Sequence, residues 1–521
     1  MSVWWWIFWL IIAILLSPVL LALFNIYRKR INLQFYEKQG LKTYFSPLLG
    51  YFGMQTLNFP ENRKISNLEF VKKVVNQYDH LPGFVCNKVD GTGCAVLLYD
   101  HEYIKEFFAK EDHFYKTGME KKLAHRVGFF NQDGEKPMHS KAIISQLFNY
   151  DNLAQFTPEI CKVIIRDTQE FSKAHGLNQT EFKKMNLEDL YDPIMEHVLN
   201  IFLFGQENIA KCKSGRSLYH LIFYHFSMYP LIRKHPLFNL LPGLCAKFNL
   251  IWALREVDRA YYEIFESVIE LYKERSQTKD EDLGYCVLDR IVKHNRKCKA
   301  EGNTKDFQSD EDIVGMILLM QFAGTDTSQN TTKMTLCGIT ERADLKEFLN
   351  DINKEIYPTA DGVTTSDKID SCENLSMFLK EALRLYHPGA RLSPRAAKKE
   401  VVLKDLTIRE GDTVQVSFIG ISYMEKVFPH ASELRPDRFS KENEKAIPRF
   451  QYLPFSYGKR ICMGRHLGEL ITKTLITQYC RTFEFRRPQD VEYYIQNTML
   501  SKMTTPIIEA KLKFPLPASS K

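Results

Sequence analysis

The chain has 521 residues, of which 45% are hydrophobic, 13% aromatic and 26% charged, proportions that are typical of an ordered globular protein and exclude a disordered one. Its 70 basic and 63 acidic residues leave a formal charge of +7, which is too dilute to favour a nucleic-acid-binding protein. The eleven cysteines are odd in number and include no C-x-x-C pair, which argues against a disulfide scaffold or a zinc ribbon and favours a reducing compartment.

The N-terminal segment is long and uncharged. From Val3 to Phe24 there are 22 residues without a charge, and a helix of this length would extend about 33 Å, which matches the core of a bilayer. Tryptophans near its start and basic residues at 28–30 predict a single membrane anchor over residues 1–30, with the rest of the chain in the cytosol. A cleaved signal peptide is the alternative, but it would have a basic region followed by a shorter apolar run.

The remainder of the chain has two kinds of pattern. Residues 150–360 are predicted to be mostly helical because apolar side chains recur every three or four residues. Residues 80–108 and 395–420 contain β-branched clusters separated by turn residues such as Gly411, and they are predicted to form short strands. We therefore expect one mainly α-helical catalytic domain with a minor β part over residues 31–521.

The most specific motif is F-x-x-G-x-R-x-C-x-G, formed by Phe455, Gly458, Arg460, Cys462 and Gly464. The two glycines permit a tight turn and a close backbone approach, and the N-terminal N–H groups of the helix predicted after the cysteine would lower the pKa of its thiol. Such a thiolate can bind iron, while the phenylalanine shields the sulfur from water and the arginine neutralises a carboxylate of a porphyrin. A structural cysteine in a glycine-rich loop is the alternative.

A second motif contains charged residues on a predicted helix. Glu381 and Arg384 are three residues apart and therefore share one face of that helix. Alone, such a pair is usually a solvated surface pair. Arg438, in the later segment P-D-R-F, follows at a distance that allows it to join the other two in a buried network.

A third motif interrupts an apolar helix that is predicted over residues 313–322, with Ser309 as its N-cap. The segment A-G-T-D-T-S follows at residues 323–328. Its small side chains would let a flat ligand approach the backbone, and the Thr327 hydroxyl can bond the carbonyl oxygen four residues earlier. Asp326 and Thr327 could together relay protons to dioxygen bound to iron. A solvated helix face is the alternative.

Along the chain, A-G-T-D-T-S comes first, followed by the Glu381 helix, P-D-R-F and the cysteine motif. These motifs in this order resemble those of the cytochrome P-450 haem-thiolate monooxygenases, and the resemblance extends from about residue 40 to residue 515. The resemblance implies a mainly α fold with a minor β part, in which haem lies between the long central helix and the loop and helix of the cysteine ligand. It also implies roles for individual residues, with Cys462 as the axial ligand, Arg460 and Arg395 at haem propionates, and Asp326 and Thr327 in oxygen activation.

Because of its N-terminal anchor, the chain resembles the microsomal branch of the family. That branch implies a single-pass protein of the endoplasmic reticulum membrane that takes electrons from an NADPH-cytochrome reductase, with cytochrome b5 as an optional second donor. Its substrate would be an apolar organic molecule such as a lipid, sterol, fatty acid or xenobiotic. A haem-thiolate hydroperoxide lyase or isomerase is one alternative, although such relatives tend to lose the acid and alcohol that Asp326 and Thr327 provide here. A non-catalytic haem-binding sensor or carrier is another.

Two further segments bear on haem binding and on the substrate. Where the family usually has a tryptophan followed four residues later by an arginine, this chain has Pro137 and Lys141. Lys141 can give a propionate a point charge, whereas Pro137 donates nothing and fits the first turn of a helix. Residues 218–248 are rich in Phe, Tyr and Leu, which predicts either a lid that dips into lipid or a pair of core helices.

Overall fold

The computed structural model describes residues 3–45, 67–88, 93–116, 135–235, 245, 248–357, 362–497 and 500–515. The chain divides into two compact units. The first comprises residues 1–117, 391–431 and 448–453, and the second comprises residues 118–390, 432–447 and 454–521. Helices predominate and strands form a smaller part, which confirms the predicted fold class.

A six-stranded sheet lies in the first unit. Its strands are β1 (Lys42–Tyr44), β2 (Gly83–Asn87), β3 (Cys94–Leu98), β4 (Phe114–Lys116), β6 (Arg395–Ala397) and β9 (Thr413–Val416). They are ordered β1-β2-β3-β9-β6-β4, with parallel pairing of β1 with β2 and of β3 with β9, and antiparallel pairing elsewhere. A separate antiparallel hairpin joins β7 (Val401–Leu403) to β8 (Leu406–Ile408). Strands are therefore present in both predicted segments, but residues 101–108 belong to a helix and not to a strand.

The sequence pattern explains this sheet. Every residue of β2, β3 and β9 is buried. Strand β3 is a continuous apolar run, which is typical of a strand covered on both faces. Gly411, in the turn before β9, has a φ of +76°, which lies in the left-handed region that favours glycine. The helices of this unit are α1 (Val3–Glu37), α2 (Asn67–Gln77), α3 (His101–Ala109) and α14 (Phe418–Ser422).

The last turns of α1 belong to the core of the first unit. Leu33 and Tyr36 are fully buried, and the Tyr36 hydroxyl donates to Asp412 at 2.8 Å. The boundary predicted at residue 30 therefore falls inside a continuous helix. Within the described residues, no helix combines the length and the apolar character needed to cross a membrane. The anchor over residues 1–30 stays a prediction.

The second unit contains most of the helices. They are α4 (Glu135–Ser145), α5 (Tyr150–Ala174), α6 (Leu187–Phe204), α7 (Leu218–Lys234), α8 (Trp252–Arg275), α9 (Val287–Ala300), α10 (Asp310–Gly338), α11 (Ala343–Ile356), α12 (Ser366–Ser371), α13 (Glu373–Leu385) and α15 (Arg465–Thr482). Strands β5 (Lys183–Asn186), β10 (Phe483–Arg486) and β13 (Ile507–Leu512) form an antiparallel sheet, and β11 (Ile495–Asn497) pairs with β12 (Ser501–Met503).

Helix α10 is the long central helix that the sequence predicts. Ser309 is its N-cap and forms a capping box with Asp312, as predicted. Most of its residues are buried because it packs against α6, α8 and α15. Gly338 ends the helix where the Tyr386 ring occupies the space that a β-carbon would need. The absence of a side chain at this position therefore allows α10 to approach the end of α13.

Residues 218–234 form α7, which packs against α8. Met228 and Tyr229 of α7 pack in one cluster with Leu254 and Val257 of α8, so the described part of this segment contributes to a buried helix pair whose second helix begins at Trp252. Residues 236–244 lie outside the described residues. The alternative prediction, a lid that dips into lipid, is not tested by this packing.

Candidate active site

The loop from Phe455 to Gly464 folds the cysteine motif into a turn just before α15. The Cys462 backbone N–H donates to the Phe455 carbonyl oxygen at 2.9 Å, and the Ile461 N–H donates to the Gly458 oxygen at 3.1 Å. Gly458 has a φ of +77°, a conformation that glycine adopts without strain. The tight turn predicted at this glycine is therefore present.

Gly464 lies at the end of the same loop, and its backbone does not require glycine. Its φ is −81°, and a β-carbon built there would lie 3.8 Å from Phe148 Cε1, an ordinary contact distance. The protein alone leaves room for a side chain at this position. The close backbone approach predicted for Gly464 therefore stays a prediction.

Cys462 differs from the other cysteines in its exposure. Its side chain is exposed, whereas the other ten cysteines are buried. Burial of the sulfur by surrounding protein nevertheless raises its pKa, and this effect outweighs the Gly464 N–H and the Lys141 charge, which both lower the pKa. The predicted lowering of the Cys462 thiol pKa is therefore wrong.

Lys141 reaches the cysteine loop from α4. Its Nζ donates to the carbonyl oxygens of Ile461, at 3.2 Å, and Lys459, at 3.4 Å. Pro137 is the third residue of α4 and so lies in the first turn, as predicted. The segment that departs from the family pattern therefore does lie beside the ligand loop, with the positive charge of Lys141 close to Cys462.

The remaining residues predicted to contact haem lie in different parts of the molecule. Phe455 and Arg460 are half-buried in the cysteine loop, and the Arg465 guanidinium lies 5.8 Å from the Phe455 ring centre. Arg395 belongs to the first unit, where it is buried in β6 and pairs with Lys116 and with Val414. Its contact with a propionate stays a prediction.

Helix α10 has an accessible patch within its buried length. Ala323 is exposed, and Phe322 and Thr327 are partly exposed, although most residues around them are buried. The Thr327 hydroxyl donates to the Ala323 carbonyl oxygen at 2.7 Å, as predicted. A β-carbon at Gly324 would instead meet the Leu199 side chain of α6 at 3.4 Å. The small residue that opens this helix face is therefore Ala323.

Asp326 is buried beside this accessible face. Its Oδ1 accepts hydrogen bonds from Asn330 Nδ2, at 3.0 Å, and lies 3.0 Å from Lys502 Nζ. Its Oδ2 is buried and has no hydrogen-bond partner among the described residues. The structure thus places the acid and the alcohol of the motif next to each other and adds a lysine that the sequence analysis missed. No local pattern connects Lys502 to α10.

Glu381 is the centre of the predicted charge network. Its carboxylate accepts hydrogen bonds from Arg384 Nε, at 2.7 Å, Arg384 Nη2, at 2.8 Å, and Arg438 Nε, at 3.1 Å. The Arg435 backbone N–H donates to it at 3.0 Å. Glu381 and Arg384 are fully buried and Arg438 is nearly so. The prediction that Arg438 joins the other two is confirmed, and the solvated alternative is wrong.

The residues present fit a haem with an axial cysteine thiolate. Cys462 presents an exposed sulfur, and Gly464 leaves space that a side chain would fill. Helix α10 packs against α15, the helix that follows the cysteine, and Ala323 opens its face. Lys141 supplies a positive charge at the loop. A soft sulfur ligand just before a helix that packs against α10 suits iron in a flat macrocycle.

A family model described as Cytochrome P450 matches residues 57–514. The chain belongs to this family. Cytochrome P450 3A41 of Mus musculus is 32% identical over 198 residues, which cover 37% of this chain and 39% of that protein. Cytochrome P450 3A12 of Canis lupus familiaris is 23% identical over 438 residues, covering 80% and 81%. Cytochrome P450 3A9 of Rattus norvegicus is 24% identical over 432 residues, covering 80% and 81%.

Membership of the P450 family settles the class of enzyme and the cofactor. The chain is a monooxygenase that incorporates oxygen, and haem with an axial cysteine thiolate is its cofactor. The roles of individual residues in this chain are proposals that rest on the geometry above.

Proposed function

We propose that this P450 is a membrane-anchored monooxygenase that inserts one atom of O₂ into an apolar organic substrate, using electrons that a reductase takes from NADPH. The observation that carries the proposal is the exposed thiol of Cys462, in a loop that closes on itself before α15. The other ten cysteines are buried and therefore unsuited to bind a ligand.

The cysteine loop would bind and orient the cofactor. When bound through Cys462, haem would supply O₂ activation at an iron to which the thiolate donates electron density. Phe455, whose carbonyl oxygen accepts the Cys462 N–H, would keep water away from the sulfur. Arg460 and Lys141 would give the propionates positive charge.

Asp326 and Thr327 would hold the protons that O₂ activation consumes. The Thr327 hydroxyl lies on the accessible face of α10, where its hydrogen bond to Ala323 fixes its orientation. Asp326 Oδ2 is a buried oxygen without a hydrogen-bond partner among the described residues, so the protein does not engage this oxygen of the acid. This pair supports a monooxygenase over a lyase or isomerase, which needs no proton delivery to O₂.

The accessible face of α10 is bordered by aromatic rings. Phe322 stacks on Phe226 of α7 with ring centres 3.9 Å apart, and it also contacts Phe223 at 5.6 Å. Phe322 directly precedes the exposed Ala323. An apolar wall of this kind supports an apolar substrate such as a sterol, fatty acid or xenobiotic.

The proposed reaction can be separated from its alternatives with purified protein and an NADPH-dependent reductase. Type I binding spectra with cholesterol and lauric acid would identify an apolar ligand, and NADPH and O₂ consumption would then be followed with it. The proposal predicts oxygenated product only when reductase, NADPH and O₂ are all present. Rearrangement of a lipid hydroperoxide without them would indicate a lyase or isomerase, and binding without turnover would indicate a sensor or carrier.

The uncharged run of residues 3–24 supports a single-pass anchor in the endoplasmic reticulum membrane. Apolar side chains near the end of α7 and the start of α8 supply a second contact, since Leu231, Phe248 and Trp252 are each about half exposed. Deleting residues 1–30 should release much of the protein from membranes and leave weak peripheral binding. The deletion keeps Tyr36 in the core, so the protein should still fold. Unchanged tight integration would contradict the anchor, and complete solubility would contradict the second contact.

A further inference from the structure

The ion pair between Lys502 and Asp326 joins a β-hairpin to the centre of α10. Lys502 lies in β12, and its Nζ is 3.0 Å from Asp326 Oδ1. The lysine side chain is 52% exposed, whereas that of the aspartate is only 6% exposed. The charged end of an otherwise accessible lysine therefore reaches a nearly buried carboxylate, where the attraction is screened less than between two surface groups.

The hairpin that carries Lys502 is held in place next to α10. The Ser501 backbone N–H donates to the Pro388 carbonyl oxygen at 2.7 Å, and Leu500 forms a β-bridge with Gly389. β12 also packs against α10. These contacts fix the backbone just before the lysine, and the pairing of Met503 with Ile495 of β11 fixes it just after. The ammonium group therefore extends from a defined backbone position.

Lys502 and Asn330 both contact the same carboxylate oxygen of Asp326. Both contact Oδ1 at 3.0 Å, while Oδ2 is buried without a hydrogen-bond partner among the described residues. Two donors on one oxygen set the torsion of the carboxylate and leave the other oxygen without a donor among the described residues. A carboxylate that rotated freely would present either oxygen.

We propose that Lys502 is a positioning residue for proton delivery, which holds Asp326 so that Oδ2 faces the proton path. The proposal rests on the proposed role of Asp326 in oxygen activation. It assigns a function to a residue outside the recognised motifs, and it makes the β11–β12 hairpin part of the catalytic arrangement. Loss of the lysine would let the carboxylate turn and would misdirect protons without removing the acid.

The same chain offers a matched control for an ordinary surface ion pair. Lys184 is 50% exposed and contacts Asp490 at 2.7 Å, but Asp490 is 68% exposed. Lys184→Ala therefore removes a lysine of similar exposure from the same unit without touching a buried acid. Lys502→Arg restores a positive charge at the hairpin and tests rescue.

The experiment measures product formed per NADPH in haem-replete protein with purified reductase, using whichever of cholesterol and lauric acid gives a type I spectrum. Lys502→Ala should lower this ratio about fivefold, Lys502→Arg should keep it within about twofold of the native value, and Lys184→Ala should leave it unchanged. The loss should appear in kcat and peroxide release and not in KM. In an Asp326→Asn background, Lys502→Ala should have no further effect.

A second readout is independent of turnover. Hydrogen exchange of the backbone at residues 500–503 should become faster in Lys502→Ala and in Asp326→Asn, because both remove the link to α10, and should not change in Lys184→Ala. If Asp326→Asn itself leaves coupling unchanged, the proposed role of the acid fails. If Asp326→Asn lowers coupling while Lys502→Ala does not, the inference about Lys502 is overturned and the role of Asp326 stands. The same holds if Lys502→Ala and Lys184→Ala lower coupling equally.

Discussion

His387 joins the end of α13 to the start of the cysteine loop by donating from its Nε2 to the Pro454 carbonyl oxygen at 2.9 Å. The other ring nitrogen, Nδ1, accepts the Gly389 backbone N–H at 2.9 Å. These two bonds require a neutral imidazole, because a protonated ring could not accept at Nδ1. Desolvation lowers the pKa of His387 to about 4.

This lowered pKa predicts a loss of stability in mild acid. Between the ordinary histidine pKa near 6.5 and about 4, the unfolded chain binds the proton that the folded chain excludes. The stability contributed by neutral His387 is thus complete above pH 6.5 and falls as the pH drops towards 4, by at most roughly 3 kcal/mol. Urea unfolding followed by circular dichroism should show this loss in the native chain and not in His387→Gln.

An exposed histidine provides the control for that measurement. The His80 side chain is 68% exposed, so His80→Gln should keep the native dependence of unfolding on pH. Identical slopes for the native chain and His387→Gln between pH 4 and 6.5 would show that His387 does not titrate as its surroundings indicate.

The Glu381 network predicts a large effect of a single substitution. Glu381→Ala would leave the Arg384 guanidinium buried without its carboxylate, which should cost about 3 to 5 kcal/mol and greatly reduce the yield of haem-loaded protein. The neighbouring Lys380 is a suitable control, because it pairs with Glu444 and both side chains are more than one-third exposed. Lys380→Ala should express normally. Equal yields of soluble, haem-replete Glu381→Ala and Lys380→Ala would contradict a stabilising role for the network.

We expect substitution of Thr327 to affect the use of oxygen without affecting haem binding. Thr327→Ala should bind haem normally, while product per NADPH falls and peroxide or water formation rises, because a lost hydroxyl misplaces protons without stopping O₂ reduction. Thr335 makes the same kind of bond within α10, to the Thr331 carbonyl oxygen at 2.7 Å, but it is fully buried. Coupling measurements should show little change in Thr335→Ala. Unchanged coupling in Thr327→Ala would place proton delivery elsewhere.

We expect Lys141 to bind a haem propionate less tightly than an arginine would at the same position. Its Nζ contacts the carbonyl oxygens of Ile461 and Lys459, so Lys141→Ala should loosen the cysteine loop and remove positive charge near a propionate. Haem transfer to apomyoglobin should be faster in Lys141→Ala and slower in Lys141→Arg, whose planar fork can bind both acceptors. Lys297→Ala, on the surface of α9, should transfer haem at the native rate. Equal rates in all four proteins would mean that another residue holds the propionate.

Local patterns made the elements and motifs predictable. The capping box of Ser309 and Asp312, the strand at Thr413–Val416 and the turn at Gly458 all follow from residues close together in the chain. The Thr327 bond is likewise local, and the Glu381 network was expected because two of its members are three residues apart.

Long-range packing decided what the sequence could not predict. Lys502 and His387 reach their partners through the tertiary fold, and nothing in the neighbouring sequence marks them. The direction of the Cys462 pKa shift was also predicted wrongly, because the helix N-terminus is a local feature whereas desolvation depends on all the protein around the sulfur. Side-chain positions within a fold follow from contacts that one sequence does not reveal.

The most direct test of the haem-thiolate assignment is the absorption spectrum of the reduced, CO-bound protein. Purified native protein should show the red-shifted Soret band of thiolate ligation, and Cys462→Ser should lose that band because serine cannot supply a soft thiolate. Cys298→Ser, which changes a buried cysteine of α9, should keep it. A red-shifted band that persists in Cys462→Ser would contradict the assignment of Cys462 as the haem ligand.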